Sequence, residues 1–433
     1  MQKHKPLTLL SNFSWTFAGN TVYVTCQWGM LALLAKLGTP EMVGQYALGL
    51  AVTAPVLMFT NLQLRSIQVS DMKREFCFGD YLGLRLIGGG VALLSILGII
   101  LITKYRWETS LVILILGVAK IAESISDIFF GLIQKHERMD LIARSLMIKG
   151  FLSLLMLSIG LSLTGSVWGG AMGVAIAWTL VLILYDIRNG VMILKSYPQT
   201  WEGTVIEELG AMALRPHWHV RSLRKLVWLA LPMGFVMMLG SLNTSIPRYF
   251  IERYLGEREL GIFSALAYLI VAGSMVVNAL AESTFPRMSK YYATGNRSGF
   301  STLLLKLVGI GGLLGITAIL VALIAGREIL TFAYRSDYAE YKDLFVWLMG
   351  SAAISFVSSF LGNAMTAARY FRIQIPLLLL VTTTSALISL WLIPIKGLQG
   401  AVIALIFSAL VQFVFSLAVI FHSLYKLNDY AGE

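Results

Sequence analysis

Between Arg248 and Lys290 the chain reads RYFIERYLGERELGIFSALAYLIVAGSMVVNALAESTFPRMSK. One apolar segment ends in a short charged turn, a second follows, and the exit is basic. The pattern recurs from Lys36 to Arg74. There Leu37-Gly38 stands where Leu255-Gly256 does, and Gly44-Gln45-Tyr46 where Gly261-Ile262-Phe263 does, with one residue inserted between. A second pair agrees, because the segments Gly170–Ala177 and Gly397–Ala404 share the pattern G-x-x-G-x-x-I-A. Both pairs lie a little over half a chain apart, so the chain reads as two related halves.

Apolar residues make up 57% of the chain and charged residues 13%. A soluble domain has about 45–50% and about 25%, so this composition, with apolar runs along the whole length, predicts an all-α polytopic membrane protein. The net charge of +11 would suit nucleic acid, but the basic residues fall in alternate loops between apolar spans, as a membrane topology requires. With 2 cysteines, Cys26 inside the first span and Cys77 in a basic loop, neither a disulfide nor a metal cluster is expected. His217-Trp218-His219 reads as a loop tract and not as a ligand pair.

At about 20 apolar residues per span, about twelve helices are predicted. They cover 13–36, 42–64, 82–104, 109–133, 146–164 and 167–187, then 227–249, 261–282, 302–324, 343–367, 374–394 and 398–422. The predicted division is an N-terminal six-helix lobe at 1–190, a cytosolic linker at 191–224 with a short surface helix around Val205–Leu214, and a C-terminal six-helix lobe at 225–433. Roughly two thirds of the Lys and Arg residues fall on the side of both termini, which places those termini in the cytosol. The first helix is expected to stay uncleaved. Six spans per half give a parallel repeat, the arrangement of a transporter that rocks two bundles about a central site. The outer loops are too short for a folded domain. No G-x-S-x-G, zinc-spaced His pair or phosphate-cradling loop is present, so an enzyme is not expected. Gly88-Gly89-Gly90 lies inside an apolar span and reads as close helix packing.

A charge inside a span costs about 2.5–3.5 kcal/mol on insertion scales, so each such charge needs a reason. The fourth span, LVILILGVAKIAESISDIFFGLI, places Lys120, Glu123 and Asp127 on one helical face. Two readings stand. On a water-filled cavity, Lys120 would attract an anionic substrate and Glu123 or Asp127 would bind a coupling cation. In a helix interface, Lys120 and Glu123 would neutralise each other, and Asp127 would reach Lys135 or Arg138. Arg65, closing the second span, reads as a snorkelling anchor or a substrate contact, and the half-repeat places Glu282 opposite it. Arg248, following Asn243 and Pro247, is a similar candidate in the seventh span, where Pro232 and Pro247 each remove a backbone hydrogen bond. Arg369 and Arg85 complete the cationic candidates. Asn20 and Gln27, seven residues apart, make one polar face of the first span, serving interhelical hydrogen bonds or a wet wall.

Several of these residues carry a resemblance. Leu37, Gly38, Glu41, Gly44 and Tyr46 form L-G-x-x-E-x-x-G-x-Y. After them in order come LGERELGIFSA, FPRMSKYYATGN with Phe285 and Pro286, the Tyr338 region, and KGLQGAVIA. The ordered set resembles the Wzx-type polysaccharide flippases of the multidrug/oligosaccharidyl-lipid/polysaccharide (MOP) exporter superfamily over essentially the whole chain. One departure is Lys36, where an arginine before Leu-Gly is common. The resemblance implies two six-helix lobes about a cationic cavity in a bacterial inner membrane, without a cofactor. It also implies a substrate of undecaprenyl-pyrophosphate-linked oligosaccharide, flipped by alternating access for O-antigen or another surface polysaccharide. Membrane lipid and a polysaccharide polymerase complex are the implied partners, and nucleic acid is not one. The alternatives are a cation-coupled small-molecule or drug exporter of the same superfamily, and, from another class, a membrane glycosyltransferase or polymerase acting on lipid-linked sugars.

Overall fold

The computed structural model describes residues 8–71, 75–196, 199–201, 204–206 and 215–431. They form twelve helical rods. The first six are α1 (Leu9–Leu37), α2 (Pro40–Asn61) continued by α3 (Leu64–Ser70), α4 (Phe78–Thr103), α5 (Trp107–Lys135), α6 (Met139–Thr164), and α7 (Val167–Val181) continued by α8 (Ile187–Ser196). The next six are α9 (Val220–Leu255), α10 (Glu257–Tyr268) continued by α11 (Ile270–Ala293), α12 (Arg297–Ala333), α13 (Lys342–Ala367), α14 (Phe371–Lys396) and α15 (Leu398–Ala431). Between the two sets lies a small antiparallel pair, β1 (Gln199–Trp201) and β2 (Thr204–Ile206), with Thr200 opposite Val205. The helix expected around Val205–Leu214 is therefore absent at Val205 and Ile206, and the rest of that stretch lies outside the described residues.

Among the described residues, ten rods are long and apolar enough to cross a bilayer. The two that fall short are α1, with Asn12, Asn20 and Gln27, and α5, with Lys120, Glu123 and Asp127. Those are the rods in which the sequence reading concentrates polar candidates. The two rods are joined by a hydrogen bond from Tyr23 of α1 to Glu123 of α5.

Several rods are interrupted, two of them without a glycine or proline at the break. Leu62 and Gln63 adopt left-handed φ values of 52° and 51°, which ends α2 and re-aims α3. Residues Leu182–Asp186 form one wide π turn between α7 and α8. In α12 the bend is at Ala325 (φ −115°, ψ 17°), just before Gly326. By contrast, α9 runs unbroken through Pro232 and Pro247 for 36 residues, about 54 Å at 1.5 Å per residue.

The chain divides into two compact units, Met1–Gly38 with Gln45–Ser241, and Thr39–Gly44 with Leu242–Glu433. The first packs around a core that includes Leu64, Phe78, Tyr81, Ile128, Phe129, Leu132 and Leu226. Its glycines set the spacing of neighbouring rods. A Cβ on Gly88 would meet the Thr60 carbonyl at 2.8 Å, so Gly88 of the glycine run serves close helix packing, whereas one on Gly90 would meet nothing within 4 Å. In the α6–α7 hairpin Gly165 takes φ +64° at the turn, and a Cβ on Gly173 would lie 2.2 Å from the Met156 carbonyl.

The second unit has its core at Phe300, Leu304, Phe356, Phe360, Ala364 and Ile420. Its α14–α15 hairpin repeats the device, with Gly397 at φ +59° and Gly400 against the Leu392 carbonyl at 2.3 Å. Here too the two copies of the Leu-Gly turn meet. A Cβ on Gly44 would stand 1.9 Å from the Glu257 carbonyl oxygen, and one on Gly261 1.9 Å from that of Pro40. Pro40 and Glu257 each open a helix and each glycine stands one turn further on, so the contact is reciprocal. The Arg258 guanidinium approaches Glu41 at 3.9 Å beside it.

Candidate functional site

The charged face of α5 is the spine of the site. Lys120, Glu123, Asp127 and Gln134 follow one another along one side of this helix. Each finds a partner from a different rod of the first unit.

Asp127 is shared by two arginines. Its Oδ1 accepts from Arg65 Nη1 at 3.2 Å, and its Oδ2 from Arg85 Nη2 at 3.3 Å. Arg65 comes from α3, re-aimed by the break at Leu62 and Gln63. It also donates from Nε to Gln134 Oε1 at 2.9 Å, and its guanidinium lies 5.6 Å from the centre of the Phe130 ring. Gly131 makes room for this, since a Cβ there would crowd Gln68 at 2.2 Å and Arg65 Cγ at 3.4 Å. Arg85, at the start of the third turn of α4, is only 1% exposed and donates a further bond to Asn61, the last residue of α2.

One turn away, Lys120 Nζ donates to Glu123 Oε2 at 2.7 Å and lies 4.7 Å from the centre of the buried Trp178 ring of α7. The other oxygen of Glu123 accepts from the Tyr23 hydroxyl of α1. Trp178 is held in turn by Ser153, to which its indole N–H donates at 2.7 Å. A third group is wholly buried: Lys149 of α6 and Asp186 of the π turn, both 0% exposed, with Nζ and Oδ2 3.7 Å apart. The Ser145 hydroxyl donates to Asp186 Oδ1 at 2.5 Å, and Lys149 Nζ lies 5.3 Å from the Phe130 ring. All six rods of the first unit thus contribute a polar side chain. Four cations (Arg65, Arg85, Lys120, Lys149) stand against three carboxylates (Glu123, Asp127, Asp186).

The structure corrects one expected contact. Asp127 does not turn to Lys135 or Arg138; Arg138 pairs with Asp140, and Lys135 donates to the Asp71 carbonyl. The break before α3 turns Arg65 onto α5 and so supplies Asp127 with a partner. The Lys120–Glu123 pair forms as its spacing allows, with each side chain still 27% exposed. Asn20 is exposed and donates to the Thr16 carbonyl of its own helix. Gln27 is half-buried, and its Nε2 is buried without a hydrogen-bond partner.

In the second unit the candidates stay apart. Among the described residues none of Arg248, Glu282 and Arg369 forms an ion pair. Arg248 is half-buried with its Nε unpartnered, and Asn243, little more than a turn earlier on α9, has a buried unpartnered Oδ1. Glu282 is exposed on α11. Arg369 is exposed at φ +64°, just past the end of α13.

Sequence reasoning missed Lys149, Asp186, Tyr23 and Trp178. A usable signal existed for the first two, because opposite charges lie at comparable distances on either side of the tight turn at Gly165. His217 and His219 lie outside any helix or strand just before α9, and His217 packs on α4, its N–H donating to the Gly79 carbonyl at 2.9 Å and its ring facing Asp80 at 3.7 Å. Among the described residues no group of three or more His, Cys, Asp or Glu is placed to hold a metal ion.

The arrangement of these twelve rods is like that of solved membrane transporters at the level of the fold. The chain superposes on the inward-facing conformation of a multidrug resistance MATE family transporter of the MOP superfamily with a TM-score of 0.70, covering 95% of this chain and 99% of that one at 12% identity. It superposes on the lipid II flippase MurJ, in an inward closed conformation, with a TM-score of 0.67, covering 96% and 90% at 12% identity. At those identities the likeness is of fold. The sequence carries the family. The model of the polysaccharide biosynthesis protein family matches residues 9–292, and the chain belongs to that family. A capsular polysaccharide biosynthesis protein, CapF of Staphylococcus aureus, is 26% identical over 410 residues, covering 94% of this chain and 98% of the relative.

Proposed function

We propose that this protein is a flippase for lipid-linked oligosaccharide, carrying undecaprenyl-pyrophosphate-linked repeat units across the bacterial inner membrane by alternating access. The product would feed O-antigen or another surface polysaccharide. The observation that carries the reading is the net-cationic array on six rods, with Arg65 and Lys120 both partly exposed within it. A pyrophosphate headgroup leaving water needs charge-assisted donors, and guanidinium forks supply them in bidentate geometry. The lipid tail can stay in the bilayer while the headgroup crosses. Family membership supports a polysaccharide role, and the MurJ-like fold supports lipid flipping.

In this reading the lobes are 1–190 and 225–433, joined by a cytosolic linker at 191–224. Both termini face the cytosol, and the protein moves its substrate without chemistry of its own. A polysaccharide polymerase would receive the flipped unit. The membrane potential offers about 2.3 kcal/mol per charge per 100 mV to bias the cycle. Arg248 and Asn243 of the second unit, with buried unpartnered polar atoms, are the residues we assign to the sugar or phosphate there. Arg369 and Glu282 would serve at the margin of the path.

The test is a bacterial strain depleted of this chain. Lipid-linked oligosaccharide is expected to accumulate in a form reached by enzymes only from the cytosolic side, relieved by wild type and not by Arg65→Ala or Lys120→Ala. Normal surface polymer in the depleted strain would contradict the reading. The second reading, a cation-coupled small-molecule exporter, is favoured by the MATE-like fold and by Glu123 and Asp127 as coupling carboxylates. Gradient-driven efflux of a cationic dye by the reconstituted protein would select it.

A further inference from the structure

Asp127 serves two cations at once. Each of its oxygens takes a different guanidinium, Arg65 at 3.2 Å and Arg85 at 3.3 Å. Among the described residues no second carboxylate lies within ion-pair distance of either arginine. The trio therefore keeps one surplus positive charge. Arg85 is 1% exposed, and its Nε is buried without a hydrogen-bond partner. A surplus charge at that depth is costly, and the imbalance has the sign that a second anion would correct. Access exists on one side: Arg65 and Asp127 are 29% and 34% exposed, while Gln134 holds the Arg65 guanidinium from its Nε edge.

We propose that Asp127 is an internal stand-in for a phosphoryl group. A phosphate or pyrophosphate oxygen displaces the carboxylate from Arg65, while Arg85 keeps Asp127 close by to return when the ligand leaves. The carboxylate thereby weakens binding and speeds release, which a carrier needs, since a site that binds too tightly does not let go. This deepens the flippase reading and rests on it. The same forked chemistry would accept a lipid pyrophosphate or free inorganic pyrophosphate.

The experiment measures binding of geranylgeranyl pyrophosphate to the purified full-length protein in nanodiscs, with geranylgeraniol and inorganic pyrophosphate as further probes. Asp127→Asn is expected to bind the lipid pyrophosphate about tenfold more tightly than wild type, because a like charge is removed at contact distance. Asp127→Glu, which keeps the charge, should stay close to wild type, and Arg65→Ala should lose binding. Inorganic pyrophosphate should compete. Equal or weaker binding by Asp127→Asn, with wild type binding well, would overturn the stand-in role and leave the flippase reading intact. Failure of wild type and all variants to bind the pyrophosphate lipid, or equal binding of the alcohol, would overturn both. Asp127→Asn leaves Arg85 buried without its counter-ion and can fail to fold, so a second comparison is built in. The double variant Arg85→Gln/Asp127→Asn should bind about tenfold more tightly than Arg85→Gln alone, and equal binding by those two would overturn the proposal.

Discussion

The Lys149–Asp186 pair is wholly buried, with both side chains 0% exposed and Nζ and Oδ2 3.7 Å apart. Removing one member of such a pair leaves an uncompensated ion, which costs about 3–5 kcal/mol, whereas replacing both with apolar residues is often close to neutral. Lys149→Met is therefore expected to lower the thermal stability of the detergent-solubilised protein sharply, by about that amount, and Lys149→Met/Asp186→Leu to recover most of it. A single variant as stable as wild type would show that the pair is not ionised. Lys120 differs, because it keeps partial exposure and lies against the Trp178 ring. At this scale the sequence displayed the charged face of α5 and its arginine candidates, but neither member of the Lys149–Asp186 pair. The face of α5 with Lys120, Glu123 and Asp127 follows from helical spacing alone. Its partners Arg65, Arg85 and Tyr23, and the meeting of Lys149 with Asp186, depend on how each rod is rotated and where it breaks, which spacing within a single helix does not encode.

The rods themselves were legible and their interruptions were not. Every apolar run predicted as a span became a helix, because a backbone in lipid must satisfy its own hydrogen bonds. The break at Leu62-Gln63 and the π turn at Leu182–Asp186 occur in sequence that would continue a helix by propensity. Both place charged residues, Arg65 and Asp186, where a regular helix would not, as strained or irregular backbone at a working site often does. The glycines make this scale testable. Gly261→Val should prevent the reciprocal contact of the two Leu-Gly turns, because its Cβ alone would stand 1.9 Å from the Pro40 carbonyl. Folded protein recovered by size-exclusion chromatography is expected to fall severalfold. Gly90→Ala, whose Cβ meets nothing within 4 Å, should be recovered like wild type or be slightly stabilised, since Gly in a helix interior costs about 0.5–1 kcal/mol relative to Ala. Equal recovery of the two variants would contradict the packing described here.

At the scale of the whole molecule, the duplication visible in two short motifs corresponds to matched structural roles. Gly173 and Gly400 each bring a helix onto the carbonyl of the rod before it, and Gly44 and Gly261 meet each other's helix starts. The charged arrays are not matched. The ion-paired network of candidates belongs to the first unit, while in the second Arg248 Nε and Asn243 Oδ1 on α9 are buried without hydrogen-bond partners. The most direct test of the central claim is translocation of a lipid-pyrophosphate-linked oligosaccharide in proteoliposomes containing only this protein, read by glycosidase access at the far leaflet. The account predicts protein-dependent translocation that Lys120→Ala and Arg65→Ala reduce at least tenfold. Absence of translocation under every imposed pH, Na⁺ or electrical gradient, or transport unchanged in both variants, would contradict it.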